Sequence, residues 1–162
     1  MKRILIFLMA LVTLAVTSPA FAAKRSIMEL PLFERAIIII KKFETLHKPK
    51  HWPTICYGHV VQRGEQFVRR QYSEREADAL LRHDYAKFCE IYKKYGRDKY
   101  ILAALAYNIG PGAVNKSSVI KKLRSGDRNI FKAYTSHCRY KGKFHKQLHQ
   151  RRLTEFAALF IP

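Results

Sequence analysis

Helix start and stop signals occupy most of the chain after residue 73. Ser73 and Glu76 form a capping box at the start of a helical pattern that stops at Gly96. The next pattern ends at Gly110-Pro111-Gly112, which is a strong break in helical structure. Together these signals predict helices over about 73–95, 98–109, 115–123, 129–137 and 146–160. Helices bury their apolar stripes by packing on one another, so we expect a mostly helical domain.

The segment before these helices begins with a dense apolar run. Residues 32–47 contain four consecutive isoleucines, Ile37–Ile40, which fit either a buried helix or a strand. The length of the run and its charged edge, which includes Glu34, Lys41 and Glu44, favour a helix.

A short β segment follows this run. Pro49 and Pro53 exclude a helix there. Residues 54–61 are rich in β-formers, Arg63-Gly64 is typical of a turn, and residues 66–68 are the expected return strand. We therefore predict an α+β fold, mostly α, with a small N-terminal β-hairpin lobe, a helical lobe and a cleft between the two lobes.

The first 22 residues have the pattern of a secretory signal peptide. Lys2 and Arg3 precede an apolar run over Ile4–Val16, and Ala20-Phe21-Ala22 is a small-x-small cleavage site. The apolar run is short for a membrane span. We expect removal of residues 1–22, export to the periplasm or the extracellular space, and one domain over residues 23–162.

The chain carries 31 Lys and Arg residues against 12 Asp and Glu residues, a formal net charge of +19. Such a charge favours an anionic partner. Because an exported protein seldom meets DNA, we expect anionic cell-envelope polymers as partners and no nucleic acid. A basic cluster near the C-terminus is either a solvated face or a binding surface for such polymers; it contains Lys141, Lys143, Lys146, Arg151 and Arg152.

Four segments, in order along the chain, resemble one known family. They are Glu44 with Thr54-Ile55-Cys56-Tyr57-Gly58-His59, then Ala106–Ala113, then Ser118–Asp127, and finally Tyr140-Lys141-Gly142-Lys143 with Gln150-Arg151-Arg152. This order is similar to that of the phage-type (T4- and P22-like) lysozymes, the muramidases of glycoside hydrolase family 24. The resemblance implies a lysozyme-like fold, a monomer without cofactor or metal, and cleavage of the β-1,4 bond between N-acetylmuramic acid and N-acetylglucosamine in peptidoglycan.

The resemblance also assigns roles to individual residues. It implies that Glu44 protonates the glycosidic oxygen and that Thr54 positions the attacking water. His59 matches a histidine that pairs with an aspartate on the next helix, and Asp84 fits that aspartate as structural support. Arg151 matches the arginine that forms an ion pair with the catalytic glutamate, and Arg152 replaces it if the alignment shifts by one. Two further residues, Asn108 and Tyr57, are candidates for lining the cleft.

The chain departs from the family pattern between Glu44 and Thr54. The family has an aspartate there, whereas residues 45–53 contain no acid. Glycoside hydrolysis usually takes two carboxylates, so three explanations stay open. In the first, His51 acts as the base for the water. In the second, Glu44 acts alone, as in lytic transglycosylases that give 1,6-anhydro products. In the third, the protein binds cell-wall glycan without cleaving it. Glu65, in the predicted hairpin, is a remote candidate for the second acid.

Three cysteines remain in the exported chain. Cys89 and Cys138 are candidates for a disulfide, although two buried thiols are the alternative. Cys56 stands where the family usually has glycine, which is tolerable only if the backbone does not need a positive φ. Cys56 and His59 are three residues apart on the predicted strand, so they face opposite sides and form no catalytic dyad. His145 and His149 lack a third ligand, so we predict no metal site.

Overall fold

The structure is a computed structural model that describes residues 26–162; the predicted signal peptide lies outside these residues. The helices are α1 Leu32–Phe43, α2 Glu74–Ile91, α3 Lys99–Ile109, α4 Pro111–Lys116, α5 Ser118–Arg124, α6 Phe131–Thr135 and α7 Lys146–Leu159. Strands β1 Thr54–Ile55 and β2 His59–Val60 form one antiparallel hairpin, and β3 Arg139–Tyr140 and β4 Lys143–Phe144 form another. The predicted α+β class, mostly α, is confirmed. In the described residues, no helix is both long enough and apolar enough to cross a bilayer.

The apolar run at the start of the domain is a helix, as predicted. In α1, Ile37, Ile39 and Ile40 are buried while Ile38 is 44% exposed. One solvent-facing residue in four is the pattern of a helix that lies against a core. The helix ends at Phe43 with Glu44 at its C-cap, and the rest of the apolar run is not helical: the backbone N–H of His47 donates instead to the carbonyl of Cys56 at 2.8 Å.

Helix α3 is the centre of the core. Its residues Ile101–Ala106 are all buried, and α1, α2 and α7 pack around it. A helix buried on every side needs apolar residues on every side, which explains why this segment lacks a polar face. The helix brings its C-terminal residues Tyr107–Ile109 to the edge of the core, beside the β1–β2 hairpin.

The β1–β2 hairpin is shorter than predicted. Thr54 pairs with Val60 and Ile55 with His59, so the turn lies within the predicted strand 54–61. Cys56 has φ 52° and Gly58 has φ 96°, and the Gly58 N–H donates to the Ile55 carbonyl at 3.1 Å. A turn does form at Arg63-Gly64, where Gly64 has φ 95° and the Glu65 N–H donates to the Gln62 carbonyl at 3.1 Å, but it does not connect the strands of the hairpin. The chain has already reversed direction at Gly58, so the return strand predicted at 66–68 was wrong.

Two inferences about Cys56 change with this turn. Its backbone does adopt a positive φ, contrary to the condition set by the sequence, and it shares no strand with His59. The residue is 1% exposed, and burial raises the pKa of its thiol to about 11. A protonated thiol without a histidine contact is a core side chain, so the conclusion that there is no catalytic dyad stands for a different reason.

The helix boundaries follow their capping residues. The Ser73–Glu76 capping box forms as predicted, and Gly110 ends α3. However, Pro111 opens α4 directly, since proline is well suited to the first turn of a helix. The predicted helix start at Asn115 was wrong, because Asn115 lies inside α4 and Ser117 caps α5 by accepting from the Ile120 N–H.

The C-terminal region differs from prediction in two ways. The β3–β4 hairpin was not predicted, because its strands are only two residues long and Lys141 takes a positive φ in its turn. Cys89 and Cys138 are free thiols, so the predicted disulfide was wrong. Cys89 belongs to the main core, whereas Cys138 is buried outside that core, at the base of β3.

Candidate active site

Glu44 and Arg151 meet where the two lobes join. Glu44 is the residue at which α1 ends, and Arg151 lies in α7. Arg151 Nη1 donates a hydrogen bond to Glu44 Oε1 at 2.5 Å, although the two residues are 107 positions apart in the sequence. The Glu44 side chain is 22% exposed and that of Arg151 is 3% exposed, so the carboxylate reaches solvent while the guanidinium does not.

A buried glutamate holds Arg151 in place. Glu155 is fully buried and accepts from Arg151 Nε at 2.8 Å, from Arg152 Nη2 at 2.9 Å and from the Tyr134 hydroxyl at 2.7 Å. Burial lowers the pKa of Arg151, but the carboxylates of Glu155 and Glu44 outweigh it and raise that pKa above its ordinary value. Arg151 is therefore a fixed positive charge beneath Glu44.

The second carboxylate oxygen of Glu44 points toward the β1–β2 turn. A Cβ placed on Gly58 would lie 3.6 Å from Glu44 Oε2 and 3.9 Å from the Tyr107 ring. Among the described residues, Oε2 accepts no hydrogen bond, so this oxygen is available to a ligand. The Tyr107 hydroxyl donates to the carbonyl of Tyr57 at 2.8 Å and ties α3 to the same turn.

A groove of about 380 Å³ begins at this turn. It is lined by Gly58, His59, Val60, Gln62, Glu65, Asp84, Lys87, Phe88, Ile91 and Tyr107. A second depression, of about 510 Å³, is lined by Phe43, His145, Lys146, Gln147 and Gln150. Gly58 in the first groove lies beside Glu44 Oε2, and the second depression contains Phe43 and Gln150, the residues that precede Glu44 and Arg151. Open grooves of this kind suit an extended polymer better than a small enclosed ligand.

His59 is held between two carboxylates on one side of the groove. Its Nδ1 lies 2.7 Å from Asp84 Oδ2, which is the contact that the family resemblance implies. Its Nε2 lies 2.9 Å from Glu65 Oε2, and that oxygen also accepts from the Gln62 N–H at 2.7 Å. The Gln62 amide and then His59 lower the pKa of Glu65. This cluster fixes β2 against α2, and Glu65 is occupied by it.

His51 is poorly placed to act as a base. It is exposed in a short turn, and its Nδ1 accepts from the Lys48 N–H at 3.0 Å. Partial desolvation, then His47 and the neighbouring lysines, lower its pKa, so the ring is neutral near pH 7. A neutral ring whose Nδ1 accepts a hydrogen bond carries its proton on Nε2, which leaves no free basic nitrogen.

The other predicted site residues lie around the same turn. Thr54 is partly buried at the start of β1. Asn108 is partly buried near the end of α3, one residue beyond Tyr107. Tyr57 is only 6% exposed, and its hydroxyl donates to Glu74 Oε2 at 2.5 Å. Its side chain therefore supports the turn from the core and offers little surface to a ligand.

Two site residues were not predicted from the sequence, namely Glu155 and Tyr107. Glu155 is the one acid in residues 128–162, and it is three and four residues after two arginines. On a helix that spacing favours ion pairs, so the signal was present. Within residues 26–162, no group of three histidine, cysteine or acidic side chains is arranged to hold a metal ion.

Comparisons with known proteins identify the family and the fold of this chain. The sequence model of the phage lysozyme family matches residues 41–155. The muramidase domain of SpmX from Asticaccaulis excentricus is 23% identical, with a TM-score of 0.64 over 78% of this chain and 95% of that domain. The endolysin from Escherichia coli O157:H7 phage FAHEc1 is 24% identical, with a TM-score of 0.64 over 80% of this chain and 94% of the endolysin. No curated protein sequence matches the chain significantly.

The family match spans most of the domain. It begins just before Glu44 and ends at Glu155, so it includes the whole ion-paired cluster as well as the hairpin and the groove. The two solved structures share the fold over nearly their full length. The chain belongs to the phage lysozyme family.

Proposed function

We propose that this protein is a peptidoglycan muramidase in which Glu44 is the general acid. One observation carries the proposal: a carboxylate anchored by a buried arginine at one oxygen, with its other oxygen facing a groove between two lobes. In phage-type lysozymes, which this chain resembles and to whose family it belongs, such a glutamate protonates the glycosidic oxygen. The substrate is the β-1,4 bond between N-acetylmuramic acid and N-acetylglucosamine.

The arrangement accounts for the first chemical step. Arg151 holds Oε1, so the proton for the leaving oxygen is carried by Oε2, on the groove side. Transfer of that proton breaks the bond between C1 of the muramic acid and the bridging oxygen, and the N-acetylglucosamine leaves with a free 4-hydroxyl. The positive charge that develops at C1 lies near the carboxylate that has just lost its proton, which stabilises it.

The second step lacks the usual second carboxylate. Residues 45–53 contain no acid, Glu65 and Asp84 are bound to His59, and the free nitrogen of His51 carries a proton. In our proposal a water adds to C1 with Thr54 as its positioning residue, and its proton passes to the Glu44 carboxylate. Glu44 thus serves first as acid and then as base.

The same geometry favours one alternative outcome. With a single carboxylate, Glu44 can instead accept the proton of the 6-hydroxyl of the muramic acid while that oxygen attacks C1. The product is then a 1,6-anhydro sugar, as in lytic transglycosylases. The missing acid in residues 45–53 is the observation that supports this alternative. A protein that binds the glycan without cleaving it is the third reading.

Export is part of the proposal. The signal-peptide pattern of residues 1–22 directs the chain to the periplasm or the extracellular space, where peptidoglycan is accessible. The folded domain then covers residues 23–162 and acts as a monomer. Without Lys2 and Arg3 of the signal peptide, the formal net charge of the domain is +17, which favours anionic cell-envelope polymers as further partners.

Release of dye from labelled sacculi tests the proposal. Wild type should release dye, and Glu44→Gln should lower the rate by about 100-fold or more, since it cannot donate the proton. Glu90→Gln is the matched control, because Glu90 is exposed on α2 and its one ion pair within residues 26–162 is with Lys93; its rate should equal that of wild type. Wild type that sediments with sacculi but releases no dye is a binding protein, and this outcome overturns the proposal.

A further inference from the structure

The β3–β4 hairpin exposes two aromatic side chains that lie outside the main core. Each faces one histidine, Tyr140 with His145 and Phe144 with His149. Tyr140 and Phe144 are each 61% exposed, the highest exposed fractions among the large apolar side chains of the described residues. All four strand residues of this hairpin are exposed. Exposed aromatic rings cost free energy in water, so a pair on one projection indicates a contact surface rather than chance.

The hairpin is a preformed projection. Lys141 has φ 49° and Gly142 has φ 77°, which are the dihedral signs of a tight two-residue turn that matches strand twist. Arg139 Nη1 donates to the Gly142 carbonyl at 3.0 Å, and the His145 N–H donates to the Cys138 carbonyl at 2.8 Å at its base. Little conformational entropy is therefore lost when this surface binds a partner.

The surrounding surface is strongly basic. Residues 128–154 contain eight Lys and Arg residues and no acid. Three of these, Arg128, Arg151 and Arg152, form ion pairs with carboxylates. The other five make no ion pair within residues 26–162; they are Lys132, Arg139, Lys141, Lys143 and Lys146. Unpaired cations next to exposed aromatic rings complement a surface that is both anionic and partly apolar.

The register of the hairpin decides between two kinds of anionic surface. Tyr140 pairs with Lys143, and Arg139 pairs with Phe144. Paired residues share a face and successive residues alternate, so each face carries one aromatic ring and one cation. A glycan strand stacks on one face only, whereas the headgroup layer of a bilayer surrounds a projecting hairpin on both faces.

We propose that the β3–β4 hairpin docks this protein onto anionic phospholipid bilayers, with Tyr140 and Phe144 in the interfacial layer and four unpaired cations, Arg139, Lys141, Lys143 and Lys146, against the headgroups. The depression lined by His145 and Lys146 continues from this hairpin toward Phe43, beside Glu44. Docking in this way holds the groove close to the membrane-proximal layer of the wall. The proposal does not depend on cleavage of glycan.

Vesicle co-sedimentation of the full chain tests it. Vesicles of phosphatidylethanolamine with phosphatidylglycerol should bind wild type, and phosphatidylcholine vesicles should bind it far more weakly. Lys141→Gln/Lys143→Gln should weaken binding to anionic vesicles by roughly tenfold or more, since each cation near such a surface contributes about fivefold. Tyr140→Ser/Phe144→Ser should weaken it to a similar extent. All variants carry the same N-terminal apolar segment, so differences between them report the hairpin.

The matched control removes the same charge elsewhere. Lys116 and Lys121 are exposed on α4 and α5, and Lys116→Gln/Lys121→Gln should bind anionic vesicles nearly as well as wild type. An equal loss in the control overturns the proposal, because binding then follows net charge alone. Unchanged vesicle binding in both hairpin variants also overturns it. If those variants instead lose binding to sacculi, the hairpin contacts the wall and not the membrane.

Discussion

Replacement of Glu155 by glutamine tests the buried network that anchors the site. Glu155 is fully buried and accepts three hydrogen bonds of 2.7 to 2.9 Å, from Arg151, Arg152 and Tyr134. Arg152 is also fully buried, and within the described residues Glu155 is its only hydrogen-bond partner. Glu155→Gln therefore leaves the buried Arg152 without a counter-charge and leaves Arg151 with Glu44 as its one carboxylate partner among the described residues.

The size of the effect follows from that arrangement. Breaking a buried ion pair by removal of one partner costs about 3–5 kcal/mol. For a domain of this size that free energy lowers the melting temperature by about 10–15 °C. Urea unfolding followed by circular dichroism measures the change, and exposed Glu90→Gln should stay within about 0.5 kcal/mol of wild type. A loss below about 1 kcal/mol for Glu155→Gln would refute the idea that this carboxylate holds both arginines.

Three further changes test separate parts of the structure. Gly58→Ala should lower the free energy of urea unfolding by about 1–3 kcal/mol, because φ is +96° there. It should also slow dye release, because the added Cβ lies 3.6 Å from Glu44 Oε2; an unaltered rate of release would contradict this. Hydrogen bonds from Arg70, then from the backbone and hydroxyl of Ser73, lower the pKa of Glu76 from 4.5 to about 2. The ionised Glu76 therefore stabilises the fold fully above pH 4.5, and this contribution is lost as the pH falls toward 2. In thermal melts, Glu76→Gln should lose part of the acid sensitivity of wild type. Ile39→Ala should cost about 2–5 kcal/mol in urea unfolding and Ile38→Ala under about 1 kcal/mol, since only Ile39 is buried; similar values would contradict the helix face assigned to α1.

Much of the fold was predictable because its signals are local. The capping box at Ser73 and the stop at Gly110 depend on hydrogen bonds within one turn of helix, so the sequence there predicts the boundary. The β1–β2 turn was misplaced for the opposite reason. Cys56 adopts a positive φ that non-glycine residues seldom take, and the contacts of Tyr57 and Tyr107 that stabilise this turn are made to distant elements.

The candidate site was predictable where the family motif supplied it and not elsewhere. Glu44 with Arg151, and His59 with Asp84, were expected as pairs, and the structure places each pair in contact. Glu65 was not expected to join His59, since its position depends on how the chain after β2 folds back. The Cys89–Cys138 pairing failed because spacing along the chain carries no information about distance between buried side chains.

Mass spectrometry of the products released from purified sacculi tests the central claim most directly. Our account predicts that wild type releases muropeptides with reducing N-acetylmuramic acid ends and that Glu44→Gln releases none. Exclusive 1,6-anhydro ends from wild type would contradict hydrolysis and leave Glu44 as the single acid and base of a transglycosylase. Muropeptides from Glu44→Gln at the wild-type rate would contradict the account itself, because the proton would then come from another residue.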